Sequence, residues 1–540
     1  MSDKDLVTLT IDGRTVRAAR GTAILEAAKA AGIEIPYYCY HPGLSVVGNC
    51  RMCLVEIEKI PKLQPSCATP VSEGMIVRTQ TPETLKNRRS VLEFLLLNHP
   101  LDCPVCDQAG ECELQNYYMD HGAYNTRFNE DKTKRRKALP IGPYVILDQE
   151  RCILCTRCVR FTREVSKTGE LAVIERGHRS EIEIFPGMEL NNAYSANVVD
   201  ICPVGALTDR DFRFQCRVWF LGRTPSICPG CSRGCNIEIH FNERFNPRYH
   251  DNRVQRLKPR HNKDVNAFWM CDEGRYSYHS IDAADRLKVP MVRENGAFKE
   301  VPWEDALRKT GQALKNTLEK HGSAGVALLA SPQMTNEELF RLHQIFRERL
   351  NIGTIEYRVP LKDKIYSNSF LVTADKNPNS RGAEILGFAG KGSEELLRAC
   401  SEGKIHFLYI CHHDLTRGFD PQTVGEALGK VEFVVFQGSW DQPTAAHADI
   451  LLPAAVYAEK EGTFTNVQGR VQKIHAAVPP LGESLTDLDI LARLSDELGL
   501  SLPHLPASEI FLELSRSAEA FAGMTYDTVG DTGQLLREPP

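Results

Sequence analysis

The sequence predicts a multidomain protein, α+β through its first half and α/β through its second. Three observations carry that reading. Sixteen of the 18 cysteines fall between Cys39 and Cys271, so the first half is organised around thiol-bearing modules. The chain opens on an alternating strand, Leu6-Val7-Thr8-Leu9-Thr10-Ile11, followed by the hairpin dipeptide Asp12-Gly13. After residue 280, apolar strand candidates at 326–330, 407–411, 433–436 and 450–452 alternate with helical patterns, as in a largely parallel sheet.

The 540 residues suffice for several domains. A formal charge of −5 gives no general reason to bind nucleic acid or anionic lipid. Met1-Ser2-Asp3-Lys4-Asp5 lacks a basic-then-apolar leader, and no run approaches the roughly 20 apolar residues of a membrane span. The chain is therefore expected to stay where it is made and to meet a membrane only through partners. In a reducing compartment, clustered cysteines indicate metal rather than disulfides.

In the first segment, a second short strand follows Gly13, and residues 23–31 read as a helix closed by Gly32. This order suits a small ferredoxin-like domain. Cys39, Cys50, Cys53 and Cys67 follow, spaced C-x10-C-x2-C-x13-C. The pair Cys50/Cys53 fits a plant-type [2Fe–2S] pattern, although the first gap is longer. Four cysteines also satisfy a structural zinc site.

Residues 84–98 predict a helix with Val91, Leu92, Leu95 and Leu96 on its apolar face, ending at Asn98-His99-Pro100. Cys103, Cys106 and Cys112 come next, one ligand short of four. His99 is the nearest candidate, since histidine can replace cysteine on a cluster iron; it can equally be a histidine meeting the helix dipole. Residues 127–137 are basic and read first as a solvated linker, second as a surface for an acidic partner.

Cys152-Ile-Leu-Cys155-Thr-Arg-Cys158 can grip three corners of one iron–sulfur cubane. A two-cluster ferredoxin would continue to a fourth cysteine where Thr162 stands. The Cys-Pro signature recurs at Cys202-Pro203, and counting back from it gives Asn192, Ser195 and Val198. None of these ligates iron well, so the second cluster is absent and Cys202 completes the first. A fourth set, Cys228-x2-Cys231-x3-Cys235 with Cys271, admits a zinc ribbon, but its tight triplet favours a cubane.

In the second half, Thr335-Asn336-Glu337-Glu338 is a capping box opening an amphipathic helix to about residue 350. Residues 459–470 read as a polar, glycine-containing loop, and the C-terminus as a short helix followed by a weakly ordered tail. There is no Gly-rich phosphate loop, no GxSxG and no paired zinc histidines.

The full array resembles the large iron–sulfur subunit family (75 kDa type) of bacterial respiratory complex I, NADH:quinone oxidoreductase. The resemblance rests on Tyr38-Cys39-Tyr40-His41-Pro42, Gly48-Asn49-Cys50-Arg51-Met52-Cys53, residues 98–107 (NHPLDCPVCD) and residues 200–207 (DICPVGAL). It implies a β-grasp [2Fe–2S] domain at 1–83 and a segment at 84–126 whose [4Fe–4S] cluster has one histidine and three cysteine ligands. A single-cluster [4Fe–4S] ferredoxin-like domain would follow at 127–215 and a [4Fe–4S] module of molybdopterin-oxidoreductase type at 221–277. Residues 278–540 would be a degenerate molybdopterin-oxidoreductase-like α/β domain. That last likeness rests on residues 335–338, 379–383, 448–453 and 461–466. Active molybdenum relatives often carry a Cys, selenocysteine or Ser where this chain reads Glu356-Tyr357-Arg358-Val359-Pro360-Leu361, and a Lys where it has Glu273. Molybdopterin is therefore not expected.

The ligand sets implied are Cys39, Cys50, Cys53 and Cys67 for [2Fe–2S], and His99, Cys103, Cys106 and Cys112 for the first [4Fe–4S]. Cys152, Cys155, Cys158 and Cys202 would hold the second [4Fe–4S], and Cys228, Cys231, Cys235 and Cys271 the third. Cys216, Cys400 and Cys411 remain as isolated buried thiols. No catalytic residue is expected. The chain would take electrons from a flavin- and NADH-binding subunit beside a small [2Fe–2S] subunit. It would pass them from the [2Fe–2S] cluster to the Cys152 cluster, then the His99 cluster, toward quinone-side iron–sulfur subunits. The resemblance places the last tetrad off this path and the complex on the cytoplasmic side of the bacterial inner membrane. The alternatives are a formate dehydrogenase catalytic subunit, an iron-only hydrogenase lacking its further cysteine set, and a zinc scaffold.

Overall fold

The computed structural model describes residues 6–242, 252–361, 366–388, 392–500 and 502–537. The leader reading for residues 1–5 lies outside them. By internal contacts the chain divides into two compact units, residues 1–220 and 221–540.

In the first unit, β1 (Leu6–Ile11) and β2 (Arg14–Ala19) form the expected hairpin. Asp12 and Gly13 both take positive φ, 47° and 79°, as the two-residue turn demands. α1 (Ile24–Ala30) follows, with Gly32 at φ 70° just beyond its end. β3 (Leu54–Ile57), β4 (Gln64–Pro65) and β5 (Ile76–Arg78) complete a sheet of order β2-β1-β5-β3-β4, in which β1 and β5 run parallel. Val7, Leu9, Ile24, Leu25, Val55 and Val77 fill the core, and Cys53 and Cys67 are part of it.

α2 (Pro82–Leu96) starts where Thr81 accepts from the Thr84 N–H and Pro82 occupies the first turn. Leu92 is buried, with Val91, Leu95 and Leu96 packed beside it. α3 (Glu113–His121) packs on α2. β6 (Leu139–Pro140), β7 (Val145–Leu147) and a later β10 (Leu207–Asp209) make an antiparallel sheet. Between them lie α4 (Arg157–Glu164), the ribbon β8 (Leu171–Ile174) and β9 (Glu181–Ile184), and α5 (Asn197–Asp200).

The basic run is irregular and largely exposed, as a linker would be, but several of its cations are tied to the fold. Lys132 Nζ donates to the Leu96 and Leu97 carbonyls at 2.6 and 2.9 Å, closing the C-terminus of α2. Arg127 pairs with Glu93, Arg136 with Glu183, and Lys137 with Asp102 and Glu150. The carboxylates and helix carbonyls that take these cations are distant in sequence, so the run alone reads as solvated.

In the second unit, β11 (Leu221–Ile227), β12 (Asn236–Asn242) and β13 (Val254–Pro259) form an antiparallel sheet, followed by α6 (Asp272–Arg275). The hairpin β14 (Met291–Glu294) and β15 (Ala297–Glu300) leads into α7 (Trp303–His321) and β16 (Val326–Leu329). α8 (Asn336–Leu342) carries both hydrogen bonds of the expected capping box and continues as π-type turns over His343–Arg349. β17 (Thr354–Glu356), α9 (Ser380–Ile385), α10 (Ser393–Ser401), β18 (Phe407–Cys411), α11 (Pro421–Leu428), β19 (Phe433–Gly438) and β20 (Ile450–Pro453) follow.

The seven-stranded sheet has the order β15-β14-β20-β19-β18-β16-β17 and is parallel from β20 to β17. Alternate residues feed opposite cores, as strand geometry requires. Leu328 and Tyr409 join Phe346, Leu491 and Phe511 on one face. Leu329, Leu408 and Ile410 join Leu397, Val424 and Leu428 on the other.

Two sequence expectations change here. Within residues 459–470 a buried strand, β21 (Gly462–Thr465), pairs with β22 (Arg470–Ile474), and only 466–469 form the turn. Polar residues sit inside because partners from distant segments satisfy them. Glu337 accepts the Thr463 N–H at 2.8 Å, Asn379 the Thr465 N–H at 2.7 Å, and Asn336 donates to Thr463 Oγ1 at 2.9 Å. The C-terminal segment also has regular structure through residue 537; the end of the expected tail, 538–540, lies outside the described residues. Beyond α12 (Asp487–Leu498), α13 (Ala507–Ser517) and α14 (Tyr526–Val529), β23 (Gln534–Leu535) pairs with β22.

Candidate iron–sulfur sites

Cys39, Cys53 and Cys67 are buried, and Cys50 is half-buried. The loop from Gly48 to Cys53 turns through positive φ at Gly48 (61°) and Arg51 (58°), and the Asn49 and Cys50 N–H groups point to the Cys39 sulfur. Thiol hydrogen bonds from Cys50 and Cys67 hold Cys39 far below the ordinary thiol range, at about 2. A hydrogen bond from Cys67 brings Cys53 down to about 7. The four sulfurs thus share one small volume, and the hydrogen bonds to Cys39 that lower its thiol push those of Cys50 and Cys67 up.

Cys103, Cys106 and Cys112 lie within electrostatic reach of one another. Burial pushes Cys112 up to about 11, while Cys103 is exposed. Burial, with Arg151 and Lys132 nearby, lowers His99 to about 4, so its imidazole is neutral at pH 7 and holds a free lone pair. Arg151 acts on both His99 and Cys106, and is itself fixed by Asp102 at 2.9 Å. A Cβ at Gly205 would stand 2.3 Å from the Cys106 sulfur, so only glycine admits that sulfur.

Cys152, Cys155, Cys158 and Cys202 line one small cavity, walled by Leu147, Ile153, Ile182, Val204 and Ala206. Left-handed φ at Leu154 and Thr156 (54° and 61°) wraps the loop around it, with the Leu154 N–H 3.4 Å from the Cys152 sulfur. Burial raises all four thiols, Cys152 to about 12 and Cys155 to about 11. Thiols in such walls ionise only beside a cation, which suits a thiophilic metal. Thr162 is fully buried and bonds back to the Val159 carbonyl at 3.0 Å, leaving Cys202 as the fourth sulfur.

Cys228, Cys231, Cys235 and Cys271 line a second such cavity in the other unit. Cys228 follows the end of β11, Cys235 precedes β12, and Cys271 caps α6, accepting from the Gly274 N–H at 3.3 Å. A Cβ on Gly274 would meet the Cys228 sulfur at 2.8 Å. Glu273, where a Lys was anticipated for an active molybdenum enzyme, instead pairs with Lys376 at 2.6 Å. Cys216, Cys400 and Cys411 are buried, apart from these sets.

Sequence reasoning missed the residues that join the sites. Arg157 donates to the Tyr40 and Ile201 carbonyls at 2.6 and 3.0 Å. Arg160 donates to the Cys39 and Cys155 carbonyls. Asn49 Nδ2 reaches Leu154 O at 3.3 Å, and the Glu113 N–H reaches Pro203 O at 3.0 Å. Tyr38 is fully buried and feels both Cys112 and Cys50. No local signal marks such contacts, which span up to 121 positions.

Comparison with known proteins assigns these modules. Residues 4–82 match a 2Fe-2S iron-sulfur cluster binding domain, and 88–127 the NADH-ubiquinone oxidoreductase-G iron-sulfur binding region. Residues 142–208 match the ferredoxin-like domain of NADH-quinone oxidoreductase subunit 3. Residues 222–283 match the molybdopterin oxidoreductase Fe4S4 domain, and 286–380 and 372–497 molybdopterin oxidoreductase. The G-type subunit of NADH-quinone oxidoreductase from Rickettsia bellii (strain RML369-C) is 31% identical, over 96% of this chain and 90% of its own length.

The chain belongs to the family of G-type subunits of NADH-quinone oxidoreductase. It is thus a subunit of an oxidoreductase complex, with domains of the [2Fe–2S] and [4Fe–4S] types. The mitochondrial 78 kDa subunit of NADH-ubiquinone oxidoreductase from Neurospora crassa is 32% identical, over 92% of this chain and 81% of its own. The Rickettsia bellii alignment runs over 625 positions against a chain of 540, so that relative carries insertions this member lacks. A crystal structure of an NAD+-reducing [NiFe]-hydrogenase in its H2-reduced state is 33% identical, over 39% of this chain and 91% of that one, with a TM-score of 0.36. That superposition is too loose to bear on the fold.

Proposed function

We propose that this chain is the electron-relay subunit of the peripheral arm of NADH:quinone oxidoreductase. One observation carries the reading: a single apolar core touches three of the sulfur sets. Tyr38, Met52, Leu92, Leu114, Val204 and Ala206 pack against Cys50, Cys112, Cys152, Cys155 and Cys202. Electron tunnelling weakens exponentially with distance and needs no moving parts, so redox centres that share one packed apolar core suit it.

In this reading Cys39, Cys50, Cys53 and Cys67 hold [2Fe–2S]. His99 with Cys103, Cys106 and Cys112, the Cys152/Cys155/Cys158/Cys202 set and the Cys228/Cys231/Cys235/Cys271 set each hold [4Fe–4S]. Bound clusters supply one-electron redox chemistry. The chain's own residues position the sulfurs, exclude water and aim N–H groups at them. Electrons enter from a flavin-bearing NADH dehydrogenase subunit, with a small [2Fe–2S] subunit beside it. They pass from the [2Fe–2S] cluster to the Cys152 and then the His99 cluster, and leave toward the quinone-side iron–sulfur subunits.

No described helix is long and apolar enough to cross a membrane. We place the chain on the cytoplasmic side of the inner membrane, held there by partner subunits. Residues 278–540 act as a scaffold without molybdopterin. Metal analysis of the assembled complex tests this: about 14 iron atoms per copy of this chain, from one two-iron and three four-iron clusters, after subtracting the partners' iron. Stoichiometric zinc or molybdenum in this chain would overturn it.

A further inference from the structure

Arg88 is fully buried, the largest such side chain among the described residues. It lies on α2 beside Asn87, whose Nδ2 donates to the Arg51 carbonyl of the first cysteine loop at 3.0 Å. The helix packs on β3, the strand that follows Cys53. The Arg88 guanidinium donates to the Thr79 carbonyl at 2.7 Å and to Gln80 Oε1 at 3.4 Å, and its Nε has no partner. Among the described residues no carboxylate forms an ion pair with it. Asp12 acts on it from a distance, but its carboxylate oxygens accept from the Thr79 N–H (2.7 Å) and Oγ1 (2.5 Å). Arg88 also acts on His121, and after Asp12 the other acidic group whose charge reaches it is Cys53.

A buried guanidinium without a counter-ion is strongly unfavourable, and arginine does not escape by losing its proton. Of the four cysteines only Cys53 acts on it, and a single thiol group compensates it less than a bound cluster would. A cluster held by four thiolates carries net negative charge and gains one more on taking an electron. We infer that Arg88 is the buried counter-charge of the [2Fe–2S] cluster and raises its reduction potential, making it the better acceptor at the head of the chain. This inference rests on the proposed ligation by Cys39, Cys50, Cys53 and Cys67. Arg88 touches no reacting atom; it is a positioning residue acting through the field it places on the cluster.

The test is an EPR-monitored redox titration of the assembled complex carrying Arg88→Gln or Arg88→Lys. At the wild-type midpoint, Arg88→Gln lowers the reduced-to-oxidised ratio of the [2Fe–2S] cluster about tenfold, equivalent to about 59 mV for one electron. Arg88→Lys restores most of that ratio, and the [4Fe–4S] midpoints stay put. If Arg88→Gln loads no [2Fe–2S] cluster while Arg88→Lys does, the charge is required to retain the cluster, which also supports the inference. Equal midpoints in all three proteins, or loss of the cluster from both variants, would overturn it. A wild-type [2Fe–2S] signal from this chain that survives Cys53→Ala would instead sink the ligand assignment.

Discussion

Single residues decide which metal the thiols can take and how closely it can be held. In the proposed ligation, a neutral His99 would offer a nitrogen donor where the other [4Fe–4S] sets offer sulfur, and its cluster would be less negative and differ in potential. His99→Ala should disturb one [4Fe–4S] signal and slow NADH-to-quinone transfer, while flavin reduction proceeds largely unchanged. An unaltered spectrum would remove His99 from the ligand set. Gly274 makes a second prediction at this scale. A Cβ there lies 2.8 Å from the Cys228 sulfur and 3.4 Å from the Cys271 sulfur, side-chain tips that a bound cluster would hold in place. Gly274→Ala should therefore lower the iron bound in the second unit, read as about four fewer iron atoms per chain. Full iron content in that variant would show that the loop accommodates the methyl group.

At the scale of elements, local chemistry was legible and long-range satisfaction was not. Asp12-Gly13 and the Thr335 capping box each act through neighbours a few residues away, and each formed as the sequence implied. The polar run from Glu459 became buried structure because its partners are far off. Lys460 Nζ sits 2.8 Å from Glu338 and 2.6 Å from Asp487, and Asp487 also meets His412 at 2.7 Å. Burial opposes the Asp487 charge, but His412 and Lys460 outweigh it and hold the carboxyl below its usual range. A depressed carboxyl stabilises the fold fully above its unfolded value of about 4 and loses that contribution as pH falls toward the folded value. Asp487→Asn should cost about 3 kcal/mol or more, seen as faster hydrogen exchange across α12. It should also flatten the acid dependence below about pH 4. Unchanged exchange would mean that Glu338 alone suffices for Lys460.

Across the whole molecule, the cysteine array was readable because ligand spacing is a local property. The joints between sites were not, since Arg157, Arg160 and Asn49 reach carbonyls more than 40 positions away. In the proposed reading those joints turn separate sulfur sets into a path in the first unit. The Cys228 set stands in the second unit, walled by Met270, Leu371 and Val372; in the proposed reading it closes a scaffold. Cys235→Ala should thus reduce assembly more than turnover of whatever complex assembles; an equal loss of turnover in fully assembled complex would put that cluster on the path. The most direct test of the relay itself is rapid-freeze EPR of the complex mixed with NADH. The account predicts that the [2Fe–2S], Cys152 and His99 clusters of this chain are reduced within one turnover, and that Cys155→Ala leaves the [2Fe–2S] cluster reduced while the His99 cluster stays oxidised. Reduction of the His99 cluster at the wild-type rate in that variant would contradict it.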